Sequence, residues 1–454
     1  MSEASSGGVG AGAGPVPGTG PVSVGWRDKS LWAAGDPLPA EAFVSEEHGL
    51  FDGSVSWPAM VLRERALAAN LDALAGFADG HGMLFAPHGK TTMAPQLFAR
   101  QLEAGAWGLT VATPFQASVA LRAGVQRVLI ANEVLDRPAL AAVARLRDEP
   151  DGPAPAGAEV FCLVDSPEGV AVAETGRGDG EMPVLIDFGY PGGRTGVRSE
   201  AEAIELGRII AATDGVRLVG ISCFEGMLPD AQAVRELLAR LRGTAEALLA
   251  EGLLEAGRAF VSAGGSAFFD IVAEQLDAEW AQRAGVRVIL RSGVYLAHDH
   301  GMYERTTPFT RMPGELRAAV ELWTQVVSAP EPGRAYVALG KRDTSFDAGM
   351  PVPLRLRRAR RGGDAAVGAG SDATAAAASA EAAWSEPVGI RGSVELTRMD
   401  DQHGYLETPE GFDVRPGDLV CLGVSHPCTT FDRWRSILVV DDDDRIVDVV
   451  RTYF

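Results

Sequence analysis

Eight short apolar, β-branched runs recur along the middle of this chain, with helical segments between them. They are GMLFA (82–86), WGLTVA (107–112), RVLIA (127–131), EVFCLV (159–164), PVLID (183–187), RLVGIS (217–222), RAFVS (258–262) and VRVIL (286–290). The spacers include PFQASVALRAG and DAQAVRELLARLRGTAEALLAEG, which read as helices. Strand then helix, repeated, builds parallel pairs joined by right-handed crossovers. Eight such strands close a (β/α)8 barrel. A doubly wound open sheet shares the pattern, and the count alone does not separate the two.

The pattern changes near residue 312. LRAAVELWTQVVS, AYVALG, GIRGSVELTR, GYLETPEG, GDLVCLGVSH and SILVVDDDDRIVDVVRTYF follow with hairpin punctuation and no long helix, as antiparallel strands do. The predicted fold class is α/β: a (β/α)8 barrel over 25–311, then an antiparallel β domain over 312–454. WPAMVLRE (57–64) is an extra early strand that could join the β domain. Residues 1–24 are Gly, Ser and Pro without periodicity and are expected to be a disordered tail. The low-complexity stretch 357–384 has no apolar stripe and reads as a dispensable surface insertion.

Chemistry enters with FAPHGKTTMAP (85–95), which sets Lys90 just past the first strand. The chain has only three lysines, Lys29, Lys90 and Lys341, and uses arginine everywhere else. Arginine does not deprotonate in proteins, whereas a desolvated amine becomes a nucleophile. Barrel enzymes do their chemistry at the C-terminal strand ends, with phosphate sites after strands seven and eight. There stand SAGGSAF (262–268) and RSGVY (291–295), glycine-rich turns whose backbone amides can cradle an anion. A lysine facing a phosphate cradle is what pyridoxal phosphate requires. His426 and Cys428 in SHPC form a second candidate pair. As alternate residues of a strand they would share a side, and imidazole with thiolate suits zinc. A packed histidine beside a buried thiol is the other reading of the same residues.

PHGKTTMAP, IDFGYPGGRTGV, VSAGGS, RSGVY, DQHGY and SHPC occur in the order seen in one family. The chain resembles, from about 45 to 454 apart from the 357–384 insertion, the D-serine dehydratase and D-threonine aldolase group of alanine racemase-like, fold-type III pyridoxal phosphate enzymes. That resemblance implies Lys90 as the Schiff-base lysine and Arg194 near the cofactor ring. It implies Gly264, Gly265, Ser266, Gly293 and Tyr295 at the phosphate, and zinc on His426 and Cys428. Phe224 stands where many relatives have tyrosine. The implied activity is dehydration and deamination of a small D-3-hydroxy amino acid, D-serine first. A metal-dependent D-threonine aldolase is the nearer alternative, and a non-catalytic cofactor-binding regulator the farther one.

A net charge of −20 argues against nucleic acid or an anionic membrane as partner. Four cysteines without CxxC spacing fit reduced thiols in a cytoplasm. A homodimer is the expected assembly. His88 is expected at the barrel rim, and His298 and His300 beside the mouth or a subunit interface. His403 reads equally as a neighbour of the metal site or a surface turn, and Asp441 to Asp444 as a solvated hairpin turn.

Overall fold

The computed structural model describes residues 21–32, 36–360 and 384–454. All eight apolar runs are strands: Leu84–Phe85, Leu109–Val111, Arg127–Glu133, Glu159–Val164, Met182–Asp187, Val216–Ser222, Ala259–Ala263 and Val286–Leu290. They pair in parallel, and the eighth returns to the first with Ile289 opposite Leu84. The remaining seam closes just beyond the first strand. His88 bridges Thr110, while Trp107 and Thr110 donate to the carbonyls of Phe85 and Pro87 at 2.7 and 2.9 Å. The sheet is therefore a barrel, and the open-sheet alternative falls.

The outer helices begin where the sequence supplies a cap. Thr113, Asp136, Ser166, Ser199, Asp230 and Asp277 each accept from the amide three residues on, satisfying a donor the helix itself cannot. Inside the barrel, Leu129, Ala131, Phe161, Leu163, Leu185, Val219, Phe260 and Ile289 form one cluster. Their neighbours Val128, Ile130, Val160, Cys162 and Val184 belong to the larger core outside it, as strand alternation requires. Trp107, Phe161 and Phe260 meet near the strand starts, with ring centroids 5.4 to 6.0 Å apart. The floor is packed, and the chemistry is left to the other end.

The second sheet is organised on Val320–Glu331. Its first half lies between Leu419–Gly423 and the early strand Ala59–Arg63, and its second half pairs with Arg334–Val337. Gly404–Glu407 and Glu395–Met399 extend one edge, and Val352–Arg357 with Val388–Gly389 the other. Ser436–Val440 runs parallel to the early strand and returns as Ile446–Arg451. The early strand thus belongs to this sheet, which ties the barrel's entrance to the β domain.

Three expectations change. Val352–Arg357 is a strand the sequence reading passed over; Pro353 obscures its pattern and sits at a register shift, a place where proline is tolerated. The stretch 357–384 interrupts a hairpin: Arg357 is still strand, Ala359 bridges Trp384, and 361–383 lie outside the described residues. Of the N-terminal tail, 1–20 lie outside the described residues, but Ser23–Val24 pair with Leu38–Pro39. Val24, Leu31, Phe43, Leu50 and Phe51 then pack with Trp323, Leu419 and Leu438. This segment sits on the antiparallel sheet and not with the barrel. Its apolar residues are too irregularly spaced to announce that from sequence. Among the described residues no helix is long and apolar enough to cross a membrane.

Buried Glu321 fastens the early strand to this sheet. It accepts from Arg63 Nη2 at 2.7 Å and from Trp323 Nε1 at 3.2 Å, and pairs with Arg355 Nη2 at 2.6 Å. Burial alone would raise its pKa, but Arg63 and Arg355 outweigh that and bring it down to about 2. The depressed value means this stability is fully present above the unfolded carboxylate pKa, about 4.3. It is lost as pH falls toward 2. Glu321→Ala strands two guanidinium groups and should cost about 3 kcal/mol, measured by denaturant unfolding. An unchanged midpoint would show the cluster to be solvated and weak.

Candidate active site

Lys90 sits in a single helical turn, Gly89–Thr91, immediately after the first barrel strand. A Cβ on Gly89 would lie 2.8 Å from the Phe98 ring, so only glycine lets the turn close here. Met93 takes a left-handed φ of 42°, and the Tyr453 amide donates to its carbonyl at 2.9 Å. The turn is therefore held from both sides. Lys90 itself is exposed to water at the open barrel mouth. Surrounding protein still desolvates the amine enough to lower its pKa; Cys428 opposes that, and Arg194 and Arg291 add to it. The other two lysines have ordinary roles. Lys29 pairs with Asp343 at 3.0 Å, and Lys341 lies over the Phe346 ring.

The strand parity that fills the barrel floor continues upward to Glu133, Asp187 and Arg291, which the sequence reading did not single out. The signal was available: Leu129, Ala131 and Glu133 share one face, as do Leu185 and Asp187, and Ile289 and Arg291. Arg291 is buried, donates from Nη2 to the Cys223 carbonyl at 2.5 Å, and keeps an Nε without partner. Burial and then the Asp187 charge push Glu133 up to about 8. Asp187 accepts from Thr195 Oγ1 at 2.7 Å.

The glycine loops differ in part from expectation. The amides of Gly264 and Gly265 donate to the buried carboxylate of Glu225, at 3.2 Å for Gly264. These two donors are already engaged. The amides of Ser266 and Gly293 have no acceptor among the described residues, and Ser292 Oγ donates to the carbonyls of Gly264 and Gly265 at 3.1 Å. At Gly293 a Cβ would lie 2.4 Å from the His88 carbonyl oxygen, so backbone meets backbone. Tyr295 is turned into the core: its ring faces Phe85, and its hydroxyl accepts from Gln101 at 3.1 Å. Arg194 is exposed and lies over the Phe224 ring at 5.1 Å. His88 is pushed well below the usual histidine range by burial, then by Lys90 and Arg291. Free amides, the orphaned guanidinium N–H and a low-pKa amine fit a phosphorylated aldehyde with a ring acceptor.

His426 and Cys428 lie beyond Leu419–Gly423, and Cys428 opens the short helix Cys428–Phe431. They meet because the loop folds back, not by strand alternation. Cys428 Sγ is 3.3 Å from Thr91 Oγ1, so the residue after Lys90 touches the thiol. His426 Nδ1 is 2.7 Å from Asp347 Oδ2. Its pKa rises to about 9, from hydrogen bonding to Cys428 first and Asp347 after it, against desolvation. Among the described residues no third His, Cys, Asp or Glu completes a metal cage. One imidazole and one thiol fit a zinc site whose other positions stay open.

The remaining histidines take supporting places. His298 is buried, and the His300 amide donates to the Val424 carbonyl at 2.9 Å, seating that loop on the approach to His426. His403 lies exposed in a hairpin turn, its carbonyl accepting from the Asp400 amide. Asp441 to Asp444 form the turn between the last two strands, with Asp441 Oδ1 accepting from the Asp443 and Arg445 amides.

Known proteins resemble this chain in sequence and in fold. The family described as "Putative serine dehydratase domain" matches residues 319–440. A D-threonine aldolase from Arthrobacter sp. is 24% identical, over 86% of this chain and 90% of its own length. A D-threo-3-hydroxyaspartate dehydratase from Delftia sp. is 31% identical, over 53% of this chain and 64% of its own. The solved D-threonine aldolase from Filomicrobium marinum superposes with a TM-score of 0.70 at 23% identity, covering 89% of this chain and 97% of that one. Alanine racemase from Bacillus anthracis shares the fold at a TM-score of 0.56 and 16% identity, covering 87% of this chain and 97% of that one. The chain is thus similar in sequence to D-threonine aldolase and D-threo-3-hydroxyaspartate dehydratase, and it has the alanine racemase-like, fold-type III fold.

Proposed function

We propose that this chain is a pyridoxal phosphate- and zinc-dependent lyase that converts a small D-3-hydroxy amino acid, D-serine first, to a 2-oxo acid and ammonia. One contact carries the reading: Thr91, next to Lys90, touches Cys428 at 3.3 Å. The amine of the barrel and the His–Cys pair of the β domain then face one substrate. Ser266 and Gly293 would take the phosphate on their free amides. The orphaned Nε of Arg291 would face the ring, with Arg194 and Phe224 at its edge. The bound cofactor supplies an electron sink that acidifies the substrate α-carbon. Zinc on His426 and Cys428 supplies a Lewis acid for the β-hydroxyl.

Lys90 is the base of this scheme. Its lowered pKa leaves more neutral amine at Nζ than an ordinary lysine has, so Nζ can accept the α-proton. Loss of hydroxide from the β-carbon then gives an enamine that water hydrolyses to the 2-oxo acid and ammonia. An aldolase would instead need a base for the hydroxyl proton. Burial pushes the Tyr303 hydroxyl upward, which makes it a poor acceptor for that proton and supports dehydration. The test is D-serine with purified protein before and after chelation. Pyruvate and ammonia should form in equal amounts, cease with chelator, and return with zinc better than with manganese. Full turnover in chelator would remove the metal from the scheme.

A further inference from the structure

The segment 345–349 is stapled across the loop that carries His426 and Cys428. Ser345 Oγ donates to the His426 carbonyl, and the Ser345 amide donates to Thr430 Oγ1 at 3.1 Å. Thr430 Oγ1 donates in turn to Ser345 Oγ at 2.9 Å, and Ser425 Oγ donates to the Gly349 carbonyl. At the centre of this staple Asp347 directs one carboxylate oxygen at His426 Nδ1, 2.7 Å away, while Thr429 Oγ1 reaches the other at 3.5 Å. With Nδ1 taken, Nε2 is the nitrogen left for the Cys428 side.

We infer that Asp347 is the positioning residue of the metal site: it fixes His426 as the Nδ1–H tautomer and so presents the Nε2 lone pair beside Cys428. The inference rests on the zinc reading above. A carboxylate behind a ligating imidazole both orients the ring and raises its basicity, and its loss weakens metal affinity by about 10- to 100-fold. Asparagine keeps a carbonyl acceptor for Nδ1–H but drops the charge, so it should restore part of what alanine loses. A residue that only braced the loop would show no such graded return.

Zinc affinity is read by competition against a colorimetric chelator, on full-length protein carrying its cofactor. Asp347→Ala should weaken zinc about 10- to 100-fold, with Asp347→Asn in between. The cofactor's visible absorption should stay at the wild-type position in both, showing an intact barrel. Wild-type protein that holds zinc while Asp347→Ala holds it within twofold would overturn the role of Asp347 alone. Wild-type protein that holds no zinc dependent on His426 would overturn both this inference and the metal reading beneath it.

Discussion

Lys90→Ala should leave a folded protein with no cofactor absorption in the visible range and turnover reduced by at least about 10³-fold. The expectation follows from position and from electrostatics. The amine stands on a glycine-closed turn at the strand's C-terminal end. It is desolvated and flanked by Arg194 and Arg291, with the opposing charge of Cys428 nearby. Lys90→Arg is the informative companion. It keeps the positive charge but cannot deprotonate, so it should fail as completely as alanine. An arginine variant with substantial turnover would mean that charge, and not amine chemistry, is what position 90 supplies.

Cys428→Ala should remove bound zinc and lower turnover by about 10²- to 10⁴-fold, the equivalent of the several kcal/mol a Lewis acid contributes. The thiol matters for identity as well as affinity. Sulfur ligands favour zinc, whereas magnesium, calcium and manganese favour oxygen. Replacing Cys428 with aspartate should therefore shift metal preference towards manganese without moving the cofactor's absorption. Metal analysis of the purified variants decides it. Wild-type zinc content and turnover in Cys428→Ala would reduce the pair to core packing against Thr91.

Much of this was legible because period-two and period-3.6 patterns are local. The eight strands, the helical spacers between them and the hairpins after residue 312 each declare themselves within a few residues. The barrel's closure does not, since it depends on His88 meeting Thr110 across the sheet. Lys90 stood out by scarcity among arginines, and His426 with Cys428 by proximity in sequence. Asp347 and Glu225 did not, because their roles exist only through long-range contacts: Asp347 with a ring 79 residues away, Glu225 with amides about 40 away. The glycine loop illustrates the limit. Glycine correctly marks a close approach of backbone at Gly293 after the eighth strand, yet the Gly264 and Gly265 amides after the seventh are turned to the internal Glu225 carboxylate. Arg291 is the instructive omission, since alternation from Ile289 already placed it inside the barrel.

Dehydratase and aldolase differ in which bond breaks, and D-threonine separates the two outcomes in a single assay. Breaking C–O yields 2-oxobutyrate and ammonia; breaking Cα–Cβ yields glycine and acetaldehyde. Both reactions can use the same cofactor and a metal, so spectra and chelators alone do not distinguish them. Zinc-loaded protein is incubated with D-threonine and all four products are quantified. We expect 2-oxobutyrate and ammonia in equal amounts, with glycine and acetaldehyde as minor products. Glycine and acetaldehyde as the main pair would contradict the dehydratase reading and establish the aldolase in its place.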